Sequence, residues 1–153
     1  MTHTVTEAFS FLDSINELPG IRAHWVERID GIDVDCNRDG AMRNLRENHQ
    51  AQVESFAGTA ARWWRAEQVH GQQVAEVPTP SEITAPDGLP VVPAVDGMIT
   101  AVAGQVLSIY VADCGAIWLA DKRTRAIGLL HSGKKGTEYN ILNEAVELMT
   151  QRF

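Results

Sequence analysis

Two histidines and a cysteine each follow an apolar, strand-like run. His70 follows Ala66-Glu67-Gln68-Val69, Cys114 follows Tyr110-Val111-Ala112-Asp113, and His131 follows Ile127-Gly128-Leu129-Leu130. The ends of strands on a buried sheet are rigid places to hold reacting groups. Two imidazoles and a thiolate are the ligand types of a catalytic zinc site with one open position. That position holds a water whose pKa the ion lowers, giving a nucleophile near neutral pH. The three residues are far apart in the chain, so only the fold can bring them together. Without a metal, Cys114 reads as a nucleophile and His131 as its base, with Lys134 and Lys135 favouring the thiolate. The plainest alternative is a small buried cysteine and two hydrogen-bonded histidines.

Asp113, beside the cysteine, reads either as the acceptor that orients a histidine or as the cap of the turn after its strand. After His131 come Ser132, Gly133, Lys134, Lys135, Gly136 and Thr137, leading into a helix. Free backbone N–H groups at such a position, with two lysines, can hold a phosphate; a solvated loop is the simpler reading. The spacing is not that of a P-loop. His24 and His49 read as ordinary, the second on a solvated helix face, and Cys36 as an incidental thiol in a polar loop.

The elements that must position these groups alternate between helix and strand. Apolar residues at Val5, Ala8, Phe9, Leu12, Ile15 and Leu18 make a helical face over 5–18, stopped by Pro19-Gly20. A strand is expected at 21–29 with Ala23, Trp25 and Val26 inward, then a turn-rich stretch from Asp30 to Gly40. A helix is expected over 41–57, closed by Gly58. Strand patterns come next at 61–69, where Trp63 and Trp64 must face opposite sides, and at 74–77. Residues 78–93 hold five of the six prolines and read as a loop or extended connection. Strands are expected at 98–102, 107–112, 116–121 and 125–130, with a hairpin turn at Asp121–Thr124. The last helix is expected from Thr137, its cap, to Gln151. This order implies an α/β (α+β) fold, a mixed sheet with flanking helices.

With 153 residues the chain has the size of one domain. Its net charge of −7 argues against a nucleic-acid groove, which needs a basic footprint. Two cysteines make no disulfide framework and suit a reducing compartment. The first sixteen residues lack the basic start and apolar stretch of a secretory leader, and no run is long enough to span a bilayer. A cytoplasmic protein without membrane partners is expected.

Four segments succeed one another in order: Gln68-Val69-His70-Gly71, Val95-Asp96-Gly97-Met98-Ile99-Thr100, Ala112-Asp113-Cys114, and His131-Ser132-Gly133-Lys134-Lys135-Gly136-Thr137. Together they resemble the YfiH/DUF152 family, known under an older name as multicopper polyphenol oxidoreductase (laccase). That family shows QVHG, an acidic strand, ADC and HAGWRGT. The resemblance runs from about residue 62 to 148, and Arg43–Phe56 weakly matches the helix ahead of it. It implies a central mixed sheet with flanking helices, shared distantly with cysteine-dependent toxin deamidases. It implies a zinc ion on His70, Cys114 and His131, and the phosphorolysis or deamination of adenosine or inosine. Copper and the oxidation of phenols have also been attributed to the family.

Two departures stand out. Lys134-Lys135 replaces Trp-Arg, and a lysine supplies a point charge without the planar fork of arginine. The family's Thr-Thr-Arg near the N-terminus has only Val26-Glu27-Arg28 as a counterpart. The chain is expected to be a single domain over 1–153 without the family's usual C-terminal part. Catalytic roles fall on Cys114, His131 and Asp113, and phosphate contacts on Lys134, Lys135, Gly136 and Thr137. The expected partners are a purine nucleoside and phosphate, and the expected assembly is a homodimer. The rival expectations are a copper oxidoreductase, a metal-free Cys/His hydrolase and a non-catalytic interaction domain.

Overall fold

The computed structural model describes residues 10–153. The expected first helix begins within residues 1–9, outside that range. The described residues open with a 3-10 turn at Ser10–Leu12 and the short helix α1 at Asp13–Asn16. Residues 21–29 are not a strand. The Asn16 side chain takes both backbone groups of Ala23, donating to its carbonyl at 3.1 Å and accepting from its N–H at 2.7 Å. Val26, expected inward, is 40% exposed. Trp25 instead packs edge-on against Phe11 and lies tilted beside Trp118.

The long helix α2 spans Arg38–Ala57. Asn37 caps it by accepting from Gly40 N–H at 2.9 Å, so it starts three residues before the expected position. Gly58, at φ +82°, closes it as its pattern requires. The strands are β1 (Arg62–Arg65), β2 (Val74–Glu76), β3 (Ile83–Thr84), β4 (Pro90–Val91), β5 (Gly97–Thr100), β6 (Gln105–Ser108), β7 (Gly115–Ala120) and β8 (Ile127–Ser132). The proline-rich connection carries the two-residue hairpin β3–β4, where Pro90 sits in a short exposed pairing.

A mixed four-stranded sheet runs in the order β2-β5-β8-β7, with β2 and β5 parallel and the remaining pairs antiparallel. β1 and β6 form a separate parallel pair. The turn between β7 and β8 falls where Asp121-Lys122-Arg123-Thr124 predicts it. Asp121 accepts from Arg123 N–H at 2.9 Å and from the Thr124 hydroxyl at 2.7 Å.

One face of the four-stranded sheet packs Leu130, Ile117, Leu119 and Val74 against Ile141 and Ala145. Full burial of a residue such as Leu130 contributes about 1.5–3 kcal/mol. On the other face Met98 joins Trp64, Ala66, Val77, Val92 and Val95. Trp64 is core while Trp63 is half-buried, so the adjacent pair does split between two sides. Register pairs Ala116 with His131 and Trp118 with Leu129, which places His131 on the face that carries Met98.

The expected last helix is two helices, α3 (Lys134–Glu138) and α4 (Ile141–Arg152). Thr137 is therefore no cap; it lies inside α3, whose N-cap is Gly133. The break falls at Asn140, in the left-handed conformation at φ +59°, whose side chain caps α4 by accepting from Asn143 N–H. Asparagine tolerates that backbone better than other side chains do.

Candidate metal centre

The sheet brings the three distant residues together. One ligand atom from each of His70, Cys114 and His131 lies within 4.8 Å of the others. Each reaches the site from a different place: His70 from the loop between β1 and β2, Cys114 from the turn before β7, and His131 from near the end of β8. The two imidazole rings meet edge to face, with centroids 5.0 Å apart. Two nitrogen or sulfur ligands of a tetrahedral zinc ion are roughly 3.3–3.6 Å apart. The donor set suits zinc or a soft copper ion.

Asp96 organises the site. It is fully buried at the entrance of β5. One carboxylate oxygen meets His131 Nδ1 at 2.8 Å. The same carboxylate accepts from the backbone N–H of Val69 (3.2 Å), His70 (2.9 Å) and Gly71 (2.8 Å). A carboxylate on Nδ1 fixes the imidazole's tautomer and turns Nε2 toward an ion. Sequence reasoning named the Val95-Asp96-Gly97 segment but gave Asp96 no role. The role it sought for Asp113, orienting a histidine, belongs to Asp96. Asp113 is exposed and its only described partner is the Cys114 thiol, 3.8 Å away.

Small residues let the elements approach. A Cβ on Gly133 would stand 3.0 Å from Cys114 Sγ and 3.5 Å from His70 Cδ2. A Cβ on Gly97 would stand 2.6 Å from Leu130 Cδ2 and 3.3 Å from Val74 Cγ2, so the glycine makes room for those side chains beside Asp96. His131 is buried, Cys114 half-buried and His70 exposed, so the group opens to solvent on the His70 side.

The stretch after His131 is not an open loop. β8 continues through Ser132, and α3 starts at Lys134. Gly136 is buried against Gly71 O, 3.1 Å from where a Cβ would stand. The Thr137 hydroxyl donates to Gly133 O at 2.9 Å and lies 2.9 Å from Ser132 Oγ. Lys134 and Lys135 are exposed. In the metal-free chain burial pushes the Cys114 thiol up, and the carboxylates of Asp113 and Asp96 push it further. That opposes the ready thiolate a metal-free hydrolase requires.

A cavity of about 740 Å³ lies between residues 24–34, α2 and the sheet face that carries His131. Its lining reaches Ala112 and Ala116, which flank the Cys114 turn, and includes His49, Trp63 and Tyr110. His49, expected on a solvated face, is half-buried and stacks on Tyr110, ring centroids 4.9 Å apart. Beneath them Arg65 makes a bidentate pair with Asp87, at 2.6 and 3.2 Å, inside the core. Burial pushes the Asp87 carboxyl up, but the Arg65 guanidinium and Leu89 N–H outweigh it and hold the group below its usual value.

Known proteins share this architecture. The chain is 32% identical to the purine nucleoside phosphorylase YlmD of Geobacillus stearothermophilus over 123 residues, covering 80% of this chain and 43% of that protein. The crystal structure of YlmD superposes with a TM-score of 0.60, over 80% of this chain and 44% of that one. The purine nucleoside phosphorylase SCO2081 of Streptomyces coelicolor is 33% identical over 147 residues, 91% of this chain and 57% of that protein. The structure of YfiH from Bacillus licheniformis, 22% identical over 72% of this chain and 42% of its own, has the same fold at a TM-score of 0.60. The chain thus spans about half the length of these relatives. The model of the multi-copper polyphenol oxidoreductase laccase family matches residues 26–153, most of the chain, and the protein belongs to that family, the one also called YfiH or DUF152.

Proposed function

We propose that this protein is a zinc-dependent enzyme acting on purine nucleosides, adenosine or inosine, by phosphorolysis. The observation that carries this reading is the His70–Cys114–His131 group, with donor atoms within 4.8 Å of one another and Asp96 behind His131. The names of the relatives YlmD and SCO2081 support the substrate class. A bound zinc ion would supply Lewis acidity to a substrate oxygen or hold an activated water.

In phosphorolysis a phosphate oxygen attacks C1′ of the ribose. The C1′–N9 bond breaks, and the base leaves with the proton that the hydrogen phosphate gives up, beside ribose 1-phosphate. Lys134 and Lys135, exposed at the start of α3, meet the phosphate as two point charges, with the first-turn N–H of Gly136 beside them; Thr137 N–H donates to Gly133 O at 2.9 Å and adds no donor. Cys114 and His131 orient the reacting group, and Asp113 adds a carboxylate next to the thiol. The cavity that reaches Ala112 and Ala116 has room for the nucleoside. Deamination of adenosine at the same site is the companion activity. The 153 residues act as one cytoplasmic domain, and a homodimer is the expected assembly.

The test incubates zinc-loaded protein with adenosine or inosine, with and without phosphate, and separates the products. Phosphate-dependent release of adenine or hypoxanthine is expected, falling to background in Cys114→Ala. Intact nucleoside throughout sinks the reading. A second reading rests on the family's description and on a donor set that also takes copper. It predicts oxygen uptake when copper-loaded protein meets a phenol.

A further inference from the structure

We infer that Arg38, the first residue of α2, is a positioning residue for the metal centre; the inference rests on the zinc reading only for its affinity measurement. His70 is exposed yet sits at φ +60°, and Gln68 two residues earlier has φ +60° as well. Side-chain-bearing residues hold left-handed backbone only where their surroundings over-determine it. Here the N–H groups of the loop are fixed from the sheet side. Val69, His70 and Gly71 donate to Asp96, Gln68 N–H donates to Val95 O at 2.9 Å, and Glu67 N–H donates to Val92 O at 3.0 Å.

The carbonyls point the other way, toward α2. Arg38 donates through Nη2 to Glu67 O at 2.6 Å and through Nη1 to Gln68 O at 3.0 Å. One planar guanidinium across two successive carbonyls fixes both peptide planes ahead of His70, which a single ammonium cannot do. The Asn37 cap sets where α2 begins and so where Arg38 stands. The His70 loop is therefore gripped from both sides, by a carboxylate on its donors and a guanidinium on its acceptors.

The helix offers its own control. Arg46, two turns further along α2, donates to Asp87 O at 3.2 Å and ties the same helix to the body of the protein without touching the loop. The experiment compares Arg38→Ala, Arg38→Lys and Arg46→Ala in the full chain. Hydrogen exchange at the amides of Val69, His70 and Gly71 is followed in the metal-free protein. Zinc affinity is measured by competition with a chromophoric chelator. Arg38→Ala is expected to speed exchange at those amides more than in β5 and β8, and to weaken zinc binding about 10- to 100-fold. Arg38→Lys recovers part of both, and it carries the comparison should the alanine variant fail to fold. Arg46→Ala matches the wild type in both.

Wild-type exchange and affinity in Arg38→Ala overturn the inference. So does equal damage from Arg46→Ala, which would make helix docking the cause. A wild-type protein that binds no zinc defeats the proposed activity, while the exchange pattern still decides the role of Arg38.

Discussion

At the scale of single residues, one buried carboxylate ties His131 to the His70 loop. Asp96 compensates its own burial with three backbone donors and an imidazole. Its removal strands those donors in the interior, where each unsatisfied group costs about 1–3 kcal/mol. Asp96→Ala is expected to lower the unfolding free energy on the order of 3 kcal/mol, read from urea denaturation of the metal-free protein. Asp96→Asn, which keeps one acceptor oxygen, is expected to lose less. Asp113, one residue from the thiol in sequence, has no such network among the described residues.

At the scale of elements, the apolar patterns gave the strands but overran their ends, for reasons that lie in particular side chains. The run expected at 107–112 pairs only as far as Ser108. Beyond it the Gln68 side chain does what a neighbouring strand would: its amide donates to Tyr110 O at 2.6 Å, and its oxygen accepts from Tyr110 N–H at 2.8 Å. The run expected at 61–69 is a strand only to Arg65; beyond it Ala66 makes a single bridge to Val92 and Gln68 turns left-handed. Helix α2 was legible through its closing glycine, but neither its Asn37 cap nor its docking was. It has no fully buried residue and is held by Arg38, Arg46 and the stacking of His49 on Tyr110.

Burial lowers the His49 pKa and the nearby Arg65 charge lowers it further, with Asp87 opposing. Above pH about 6.5 His49 is neutral in both folded and unfolded chains, and its contribution to stability is complete. Below that pH the unfolded chain takes up the proton first, so stability is lost as pH falls toward the folded-state value. His49→Phe keeps the stacking and removes the titration. It is expected to flatten that part of the stability–pH curve, measured by denaturation at stepped pH.

At the scale of the whole molecule, the proposed metal site would link metal binding to folding, because the candidate ligands come from three separate parts of the sheet region. An ion that binds only the folded chain stabilises it by about 2.7 kcal/mol when free zinc stands at 100 times its dissociation constant. For a chain of this length that is a rise in melting temperature of roughly 5–10 °C. Calorimetry with zinc, then with excess chelator, is expected to show the rise and its reversal, and Cys114→Ala is expected to show neither. Among the described residues no helix is long and apolar enough to cross a membrane.

The amino-acid sequence by itself pointed to His70, Cys114 and His131 as candidate ligands, and to most of the strands and helices around them. Caps, turns and apolar alternation act over a few residues, and the family's four motifs are contiguous strings. Tertiary structure alone put the donor atoms of the two imidazoles and the thiol within 4.8 Å of one another, set Asp96 on His131, and clamped α2 to the His70 loop. Those facts depend on strand register and on side chains that meet across tens of residues, and no local pattern encodes such an approach.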